Sequence, residues 1–307
     1  MTAPAIEVRS PGALCTVQDG GRRGWAHLGV PPAGPADWLG HTLANRLVCN
    51  PDDAAALEFT AVGPRLRFTD AAVIAVTGAG RTLDGAPLPP GRSVAIPPGG
   101  RTLAVGRCRP GVRGYLAVAG GFDVAETLGS RSTDTLSGLG PPALRAGDRL
   151  AASPADPPPA RRLIDGVLPP PVPALRVVAG PHLDRFADPS QLDRAEFTVA
   201  AASDRVGVRL DGPVVGRSSE ADIPTCGVVD GALQVPPDGH PILLLAGHGA
   251  TGGYPVLGVV CRADLPAAGQ LAPGAPVRFV TVGRAEALAA YAELRRALGR
   301  AVVLDLG

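Results

Sequence analysis

Glycine and proline make up 75 of the 307 residues, and this frequency limits what the chain can fold into. Both residues are unfavourable inside helices, so a bundle of long helices or a coiled coil is excluded. Short strands joined by tight turns accommodate them, because turns use both residues. Hydrophobic residues account for 45% of the chain, enough to bury a sizeable core. The sequence therefore predicts a mainly β protein.

The charged residues exclude several classes of function. The 29 basic and 28 acidic residues give a net charge of +1, which favours neither a nucleic acid nor an anionic membrane surface as a partner. Every basic residue is an arginine. The chain therefore has no lysine for a P-loop, for a Schiff base or for covalently attached biotin.

The spacing of the cysteines and the composition of the N-terminal residues indicate whether the chain has a metal site, a disulfide framework or a secretory signal. The five cysteines are widely spaced and include no CxxC pair, so we expect neither a disulfide framework nor a zinc site. The N-terminal residues lack the basic and apolar regions of a secretory signal. The longest apolar run, 242–246, is far shorter than the ~18 residues of a membrane span. We expect a soluble, cytoplasmic protein without a metal site.

A proline-rich segment divides the chain. Residues 151–173 contain eight prolines in 23 positions, which predicts a linker without regular structure. It separates two β-rich lobes, 1–150 and 174–283, and a C-terminal helix and tail follow at 284–307.

Local patterns predict two helices and ten short strands. The first helix is capped by Asp37 and ends at Asn50-Pro51. The second carries an apolar stripe and ends at Gly299. The stripe consists of Leu288, Tyr291, Leu294 and Leu298. The strands are predicted at Ile6–Arg9, Leu66–Phe68, Val73–Thr77, Thr102–Val105, Tyr115–Ala119, Arg176–Val178, Phe197–Ala200, Ile242–Leu245, Leu257–Cys261 and Val277–Val280.

Residues 16–60 place many polar side chains among glycines. This pattern predicts a polar pocket lined by loops and one helix face. Its candidate site residues are Asp19, Asp37, Asn45 and Glu58. Two of them have a structural alternative, because Asp37 suits a helix N-cap and Asn45 suits a solvated helix face.

Two arginines in residues 203–213 form a second candidate. Arg205 and Arg209 are four residues apart in an extended, glycine-interrupted segment, with Asp204 beside them. They could form a fork that holds a carboxylate or a phosphate. A surface turn with ion pairs is the alternative.

The third candidate is the segment 226–255. It contains Gln234, a hairpin signal at Asp238-Gly239 and the glycine-rich loop 247–254. Glycines let a backbone approach a ligand and present N–H groups to an anion, and His248 and Thr251 are the chemical side chains of this loop. The alternative is a plain hairpin loop with a hydrogen-bonded histidine. No Ser/His/Asp order, HxxxH pair or GxSxG motif is present, so the residues alone assign no catalytic mechanism.

Nine segments carry a resemblance to a known family. They are TVQDGGRRGWAHLGVP (16–31), LANRLVCNPDDAAALEFT (43–60), AVTGA (75–79), YLAVAGGFDV (115–124), LGSRSTD (128–134), RVVAGPH (176–182), SDRVGVRLDGP (203–213), GALQVPPDGHPILLLA (231–246) and TGGYPVLGVVCRADLP (251–266). In this order they resemble the family variously labelled allophanate hydrolase subunit 2, biotin-dependent carboxyltransferase-like protein and C-type subunit of 5-oxoprolinase.

The resemblance implies two cyclophilin-like β-barrel lobes with a few short helices, and a heterocomplex with the family's subunit 1, also called the B-type subunit. In the 5-oxoprolinase system these two proteins act with a third, ring-opening subunit of the A type in the ATP-driven cleavage of 5-oxoproline to glutamate. In urea carboxylase, similar domains transfer a carboxyl group from biotin to urea. A further relative opposes an inhibitor of a sporulation kinase.

The chain departs from the family pattern at three positions. Gly247 to Ala250 stand where the family usually has an Asp-Arg-Gln-Thr-like run. Thr225-Cys226 occupies the place where the family often has Ser-Glu, and His182 occupies a position where the family commonly has Gln. If the family's loop arginine orients an anion, His248 can replace it only when protonated, which would make activity pH-sensitive.

The favoured hypothesis is the C-type subunit of an ATP-dependent 5-oxoprolinase, inactive without its partner subunits. Arg205 and Arg209 are expected to hold anions, and Asp19, Gln234 and His248 to polarise the substrate. The glycine-rich loop is expected to be shaped by Thr251, Gly252, Gly253 and Tyr254. ATP with Mg²⁺ is expected to bind the complex at a site that spans the subunit interface. The alternatives are the carboxyltransferase component of a biotin-dependent urea carboxylase or allophanate system, and a non-enzymatic antagonist of a kinase inhibitor.

Overall fold

The computed structural model describes residues 5–169, 174–218 and 223–305. The chain divides into two compact units, which are described separately. Unit 1 consists of Met1–Arg22, Ala33–Leu168 and Ala297–Gly307. Unit 2 consists of Arg23–Pro32 and Pro169–Arg296.

Residues 5–169 form one α-helix and thirteen strands. The helix is α1 (Trp38–Leu47). The strands are β1 (Ala5–Ser10), β2 (Leu14–Gln18), β3 (Ala56–Thr60), β4 (Arg65–Phe68), β5 (Ala72–Thr77), β6 (Ala79–Leu83), β7 (Ala86–Pro87), β8 (Val94–Ile96), β9 (Arg101–Cys108), β10 (Arg113–Val118), β11 (Phe122–Asp123), β12 (Arg149–Ala152) and β13 (Arg161–Leu163).

The described residues from 174 onward form three helices and ten strands. The helices are α2 (Gln191–Arg194), α3 (Leu265–Gly269) and α4 (Arg284–Leu298). The strands are β14 (Leu175–Ala179), β15 (Glu196–Val199), β16 (Gly207–Asp211), β17 (Cys226–Gly227), β18 (Ala232–Gln234), β19 (Ile242–Leu244), β20 (Thr251–Gly252), β21 (Val256–Val260), β22 (Pro276–Thr281) and β23 (Val302–Leu304).

Unit 1 is built on two sheets that share a hydrophobic core. The seven-stranded sheet has the order β11-β12-β1-β4-β9-β6-β7, and the five-stranded sheet has the order β2-β3-β10-β5-β8. Successive side chains of a strand point to opposite faces, and along β4 the arginines are exposed while Leu66 and Phe68 are buried. These two residues join one core with Leu57 and Leu116 of the other sheet.

Helix α1 covers the face of β10 that points away from this core. Tyr115 and Ala117 of β10 pack against Ala44 and Leu47 of α1, and β10 is therefore buried on both faces. The helix begins at Asp37, whose Oδ1 accepts a 2.9 Å hydrogen bond from the Gly40 amide. The predicted N-cap is confirmed.

Seven strands of unit 2 close into a barrel in the order β14-β21-β18-β19-β16-β15-β22. β14 and β22 are parallel, and the other neighbouring pairs are antiparallel. On β16 the side chains alternate, with Val208 and Leu210 buried and Arg209 exposed. β17 and β20 form a separate two-stranded sheet.

The fold confirms the prediction of a mainly β protein. Of the two β-barrel lobes that the resemblance implies, the one in unit 2 is a closed barrel, whereas the strands of unit 1 form the two sheets described above. Both predicted helices are present, and each of the ten predicted strands overlaps an observed one. None of the helices in the described residues is long and apolar enough to span a membrane.

Part of the proline-rich segment has regular structure, contrary to the prediction of an irregular linker. β13 pairs antiparallel with β23, with Arg162 opposite Val303. The reason is that 161–163 contains no proline and can donate to a neighbouring strand. Residues 170–173 of the predicted linker lie outside the described residues.

Candidate functional site

The thirteen predicted site residues divide between the two units. Unit 1 contains Asp19, Asp37, Asn45 and Glu58. Unit 2 contains Asp204, Arg205, Arg209, Gln234, His248, Thr251, Gly252, Gly253 and Tyr254.

Asp19 follows β2, and both of its carboxylate oxygens accept hydrogen bonds. Oδ1 accepts from the hydroxyls of Ser130 (2.6 Å) and Ser132 (2.7 Å) and from the Gly21 amide (2.9 Å), and Oδ2 accepts from the Arg131 amide (2.5 Å). Burial acts to raise the pKa of Asp19, but these hydrogen bonds outweigh it and hold the pKa below its ordinary value. The carboxylate therefore fixes the loop 130–132.

Asp19 also lines a cavity of unit 1. The cavity has a volume of about 380 Å³ and is walled by glycines of three loops, with Asp53, Glu126 and Arg131 at its charged positions. Glu126 and Arg131 form an ion pair at 2.6 Å, so much of this charge is compensated within the wall.

Glu58 and Asp37 are joined through the hydroxyl of Tyr115. This hydroxyl donates a 2.8 Å hydrogen bond to Oε2 of Glu58 and accepts one of 2.8 Å from the Asp37 amide. Oε2 of Glu58 also accepts from the Ala36 amide at 2.8 Å. Burial, and then the charges of Glu58 and Asp37, raise the pKa of Tyr115 well above its ordinary value, so the phenol keeps its proton. These contacts connect β3, β10 and the start of α1.

Asn45 is fully buried on α1. Its Nδ2 donates to the Ala54 carbonyl at 2.9 Å, and its Oδ1 accepts from Nδ2 of Asn50 at 3.1 Å. The expected solvated helix face is therefore wrong for this residue. Like the three carboxylates, Asn45 makes hydrogen bonds that hold unit 1 together, and a contact of these four residues with substrate stays a prediction.

The glycine loop of unit 2 consists of residues 247–254, and its first residue contacts Arg205. The Gly247 amide donates a 2.9 Å hydrogen bond to the Arg205 carbonyl. A Cβ atom on Gly247 would lie 2.8 Å from that carbonyl oxygen and 3.2 Å from Cγ of Arg205. Glycine is therefore required for this approach. Arg205 itself is buried.

The same loop contacts Gln234 further along. Gln234 ends β18 at a register shift against β21, and it is 7% exposed. A Cβ atom on Gly252 would lie 2.4 Å from Nε2 of Gln234. In the part of the chain that the structure describes, Nε2 has no hydrogen-bond partner. Because an unsatisfied buried donor costs about 1–3 kcal/mol, this amide is a candidate donor to a ligand oxygen.

His248 is buried between two acceptors. Its Nδ1 lies 2.5 Å from the Gly249 carbonyl oxygen, and its Nε2 lies 3.2 Å from Oδ1 of Asp230. Acceptors at both ring nitrogens favour the imidazolium form, which has two N–H groups. Burial lowers the pKa of His248, but the contacts with Asp230 and Gly249 outweigh burial and raise the pKa above its ordinary value.

Asp230 was not among the predicted site residues. In the sequence it belongs to the Asp-Gly pair directly before β18. Such a pair is typical of turns in general and does not indicate a site. Since both ring nitrogens of His248 already face acceptors, the predicted direct contact of this ring with substrate requires release from Asp230.

Arg205 and Arg209 lie in different environments. Arg205 is buried, whereas Arg209 is exposed on the outer side of β16. A fork would require both guanidinium groups to face one ligand, and their different burial gives this prediction no support. Asp204 accepts hydrogen bonds from the amides of Val206 (2.8 Å) and Gly207 (3.1 Å), so it shapes the turn that precedes β16.

The rest of the glycine loop is nearer to solvent. Thr251 is exposed and Tyr254 is 36% exposed, while the Gly253 carbonyl accepts a 3.0 Å hydrogen bond from the Ile223 amide. The candidate site is therefore the glycine loop with Arg205, Gln234 and the His248–Asp230 pair. Its amide and cationic groups suit a ligand with carbonyl or carboxylate oxygens. Across residues 5–169, 174–218 and 223–305, no group of three His, Cys, Asp or Glu side chains could hold a metal ion.

Several known proteins are similar to this chain in sequence or in structure. The C-type subunit of 5-oxoprolinase from Escherichia coli (strain K12) is 34% identical over 303 residues, which cover 95% of this chain and 96% of that protein. The structure of TTHA0988 is 40% identical with a TM-score of 0.81, over 91% of this chain and 56% of that one. The structure of K. lactis urea amidolyase is 31% identical with a TM-score of 0.88, over 97% of this chain and 20% of that one.

The chain thus spans nearly the whole of the E. coli protein, about half of TTHA0988 and a fifth of the urea amidolyase. The family model described as carboxyltransferase domain, subdomain A and B, matches residues 28–281. The protein therefore belongs to the family of carboxyltransferase domains, subdomain A and B.

Proposed function

We propose that this chain is the C-type subunit of an ATP-dependent 5-oxoprolinase and acts with a B-type partner in the cleavage of 5-oxoproline to glutamate. The observation that carries the proposal is the buried Nε2 of Gln234, which has no acceptor among the described residues. The lactam carbonyl and the carboxylate of 5-oxoproline are both oxygen acceptors. Similarity to the E. coli 5-oxoprolinase protein along nearly its whole length supports this choice of substrate.

The chemistry explains why such a site must combine amide and cationic groups. Resonance stabilises the lactam, so its hydrolysis is coupled to transfer of the γ-phosphoryl group of ATP to the lactam oxygen. Water then adds to the activated carbon, and the ring C–N bond breaks with protonation of the leaving nitrogen, which gives an acyl phosphate. A second water hydrolyses this acyl phosphate to glutamate and phosphate. The sum is 5-oxoproline, ATP and two waters giving glutamate, ADP and phosphate.

Each group of the site has a role in this scheme. The Gln234 amide donates to a substrate oxygen, and the buried guanidinium of Arg205 adds positive charge for the substrate carboxylate. The glycine loop allows the substrate to approach the backbone. The ATP phosphates and Mg²⁺ are assigned to a site completed by the partner proteins, since this chain supplies no lysine for phosphate binding.

The test is reconstitution. The chain is co-purified with its B-type partner and the ring-opening A-type protein, and glutamate release from 5-oxoproline, ATP and Mg²⁺ is measured with each protein omitted in turn. We expect glutamate only when all three are present. Gln234→Leu should abolish most turnover while the complex still co-purifies. Gln191→Leu is the matched control, because that amide donates to the Val214 carbonyl outside the glycine loop.

A well-formed complex that releases no glutamate would contradict the proposal. The structural similarity to urea amidolyase favours carboxyl transfer as the second candidate. In that role the Gln234 amide would donate to the carbonyl oxygen of urea or of carboxybiotin, and the biotin would have to be attached to another protein. ATP-dependent carboxylation of urea, assayed with a biotin carboxylase and a biotin carrier, distinguishes this role. A complex that supports neither reaction favours the non-catalytic role.

A further inference from the structure

We infer that Asp230 is a positioning residue, whose carboxylate holds the His248 imidazolium and thereby fixes the glycine loop beside Gln234. Its effect on turnover rests on the proposed function, whereas its effect on the loop does not.

The loop is attached to the barrel on both sides of His248. Before the histidine, Gly247 is hydrogen-bonded to the Arg205 carbonyl. After it, the Ala250 carbonyl accepts a 3.2 Å hydrogen bond from the Val228 amide, and Gly252 pairs with Cys226. The His248 amide also donates a 2.9 Å hydrogen bond to the Leu245 carbonyl, so it is Gly249 that the histidine ring holds.

The His248 ring supplies that contact through both of its nitrogens. Nδ1 lies 2.5 Å from the carbonyl oxygen of Gly249, the residue that follows, and Nε2 lies 3.2 Å from Oδ1 of Asp230, in the turn before β18. The imidazole is 3% exposed and the Asp230 side chain 37% exposed. The pair therefore connects the middle of the glycine loop to the strand that ends at Gln234.

The charges around the ring make this connection depend on its proton. Asp230 faces Nε2, and the Arg205 carbonyl accepts from the amide of Gly247, the residue before His248. When the imidazolium loses a proton, one ring nitrogen presents a lone pair to an oxygen acceptor and that contact becomes repulsive. Because these contacts raise the pKa of His248 above its ordinary value, the loop is fixed at pH values below this raised pKa and loosened above it.

The contact between the loop and Gln234 explains how fixing the loop affects substrate binding. Gly252 is in close contact with Nε2 of Gln234, and a shift of the loop moves the surface against which that amide is packed. The histidine thus acts on the substrate through the loop, and Asp230 acts through the histidine.

The test uses the free full-length chain and compares Asp230→Asn with the wild type. The pKa of His248 is measured by NMR, with His248→Gln identifying the signal, and amide hydrogen exchange is measured for Gly249 to Gly252. In Asp230→Asn we expect a lower His248 pKa and amide exchange faster by about 10- to 100-fold, because the variant loses the half-buried 3.2 Å ion pair between the imidazolium and the carboxylate. Asp230→Glu should restore part of both effects.

Asp238→Asn is the matched control, because that carboxylate accepts from the His240 amide in another turn of the same unit. It should change neither the His248 pKa nor the loop exchange. An unchanged His248 pKa or unchanged exchange in Asp230→Asn overturns the inference. If Asp230→Asn fails to fold, His248→Gln serves as the second variant, and it should show fast loop exchange at every pH.

The reconstituted complex separates this inference from the proposed function. In an active complex, Asp230→Asn should lower kcat, keep partner binding and move the alkaline limit of activity to lower pH. Wild-type turnover and pH profile in this variant would overturn the positioning role while the proposed function stands. A complex without glutamate release would contradict the proposed function, and the exchange experiment would still decide whether Asp230 fixes the loop.

Discussion

Gly252 leaves room for the amide of Gln234, because a Cβ atom at position 252 would lie 2.4 Å from Nε2. Gly252→Ala should therefore displace the Gln234 side chain without reaching the barrel core. We expect glutamate release by the reconstituted complex to fall about 10²- to 10³-fold, the usual effect of losing one well-placed donor.

The neighbouring glycine provides the control for this change. A Cβ atom on Gly253 would lie 3.7 Å from the Ile223 carbonyl oxygen, which is ordinary van der Waals contact. Gly253→Ala should therefore lower turnover far less than Gly252→Ala. Equal losses in the two variants would show that loop flexibility, and not the contact with Gln234, sets the activity.

A second prediction concerns the hydroxyl of Tyr115. Tyr115→Phe removes the donor to Glu58 and the acceptor for the Asp37 amide, and leaves these buried groups with one partner fewer. We expect the free energy of unfolding to fall by about 1–3 kcal/mol, measured by urea denaturation. Tyr254→Phe, at an exposed position, should leave it unchanged. An unchanged stability in Tyr115→Phe would mean that water replaces the hydroxyl.

The Asp19 carboxylate predicts how stability depends on acid. Its pKa is lower in the folded chain than the value of about 3.9 expected when unfolded. The stability it contributes is therefore present above the unfolded pKa and is lost as the pH falls through the folded pKa. Asp19→Asn should be less stable than the wild type at pH 7, and the two free energies of unfolding should converge as the pH falls below about 4. A constant difference at every pH would contradict this role.

Unit 2 offers a comparison between a buried and an exposed ion pair. Asp264 is buried and accepts from Nε (2.9 Å), Nη2 (2.5 Å) and the backbone amide (2.8 Å) of Arg176. Asp264→Ala should destabilise the barrel by about 3 kcal/mol, because it leaves these donors without an acceptor. Glu196→Ala, which breaks the exposed 2.7 Å pair with Arg278, should cost about 0–1 kcal/mol. Thermal unfolding of both variants measures the difference.

The elements that could be predicted from the sequence are those with local signals. The α1 helix has a capping aspartate, and strands such as β4 alternate apolar and charged residues. β2 and β3 are not predicted as strands, because the polar residues Gln18 and Glu58 favour a pocket lined by loops. Both side chains are buried within strands, where partners from other elements satisfy much of their hydrogen bonding.

The site was only partly predictable, because its contacts join distant residues. The glycine-rich segment indicates Gln234 and His248, but the contact with Asp230 appears only when the barrel closes. Asp19 and Glu58 look like free carboxylates in the sequence. Their partners Ser130 and Tyr115 are 111 and 57 residues away, so the sequence could not show that hydrogen bonds already occupy them.

The pairing of β13 with β23 also determines when each unit can finish folding. About 140 residues separate the two strands, and all seven barrel strands lie between them. At the usual rate of synthesis, β13 leaves the ribosome on the order of ten seconds before β23. The barrel can close within this interval. We therefore expect unit 1, although most of it is synthesised first, to complete its folding last.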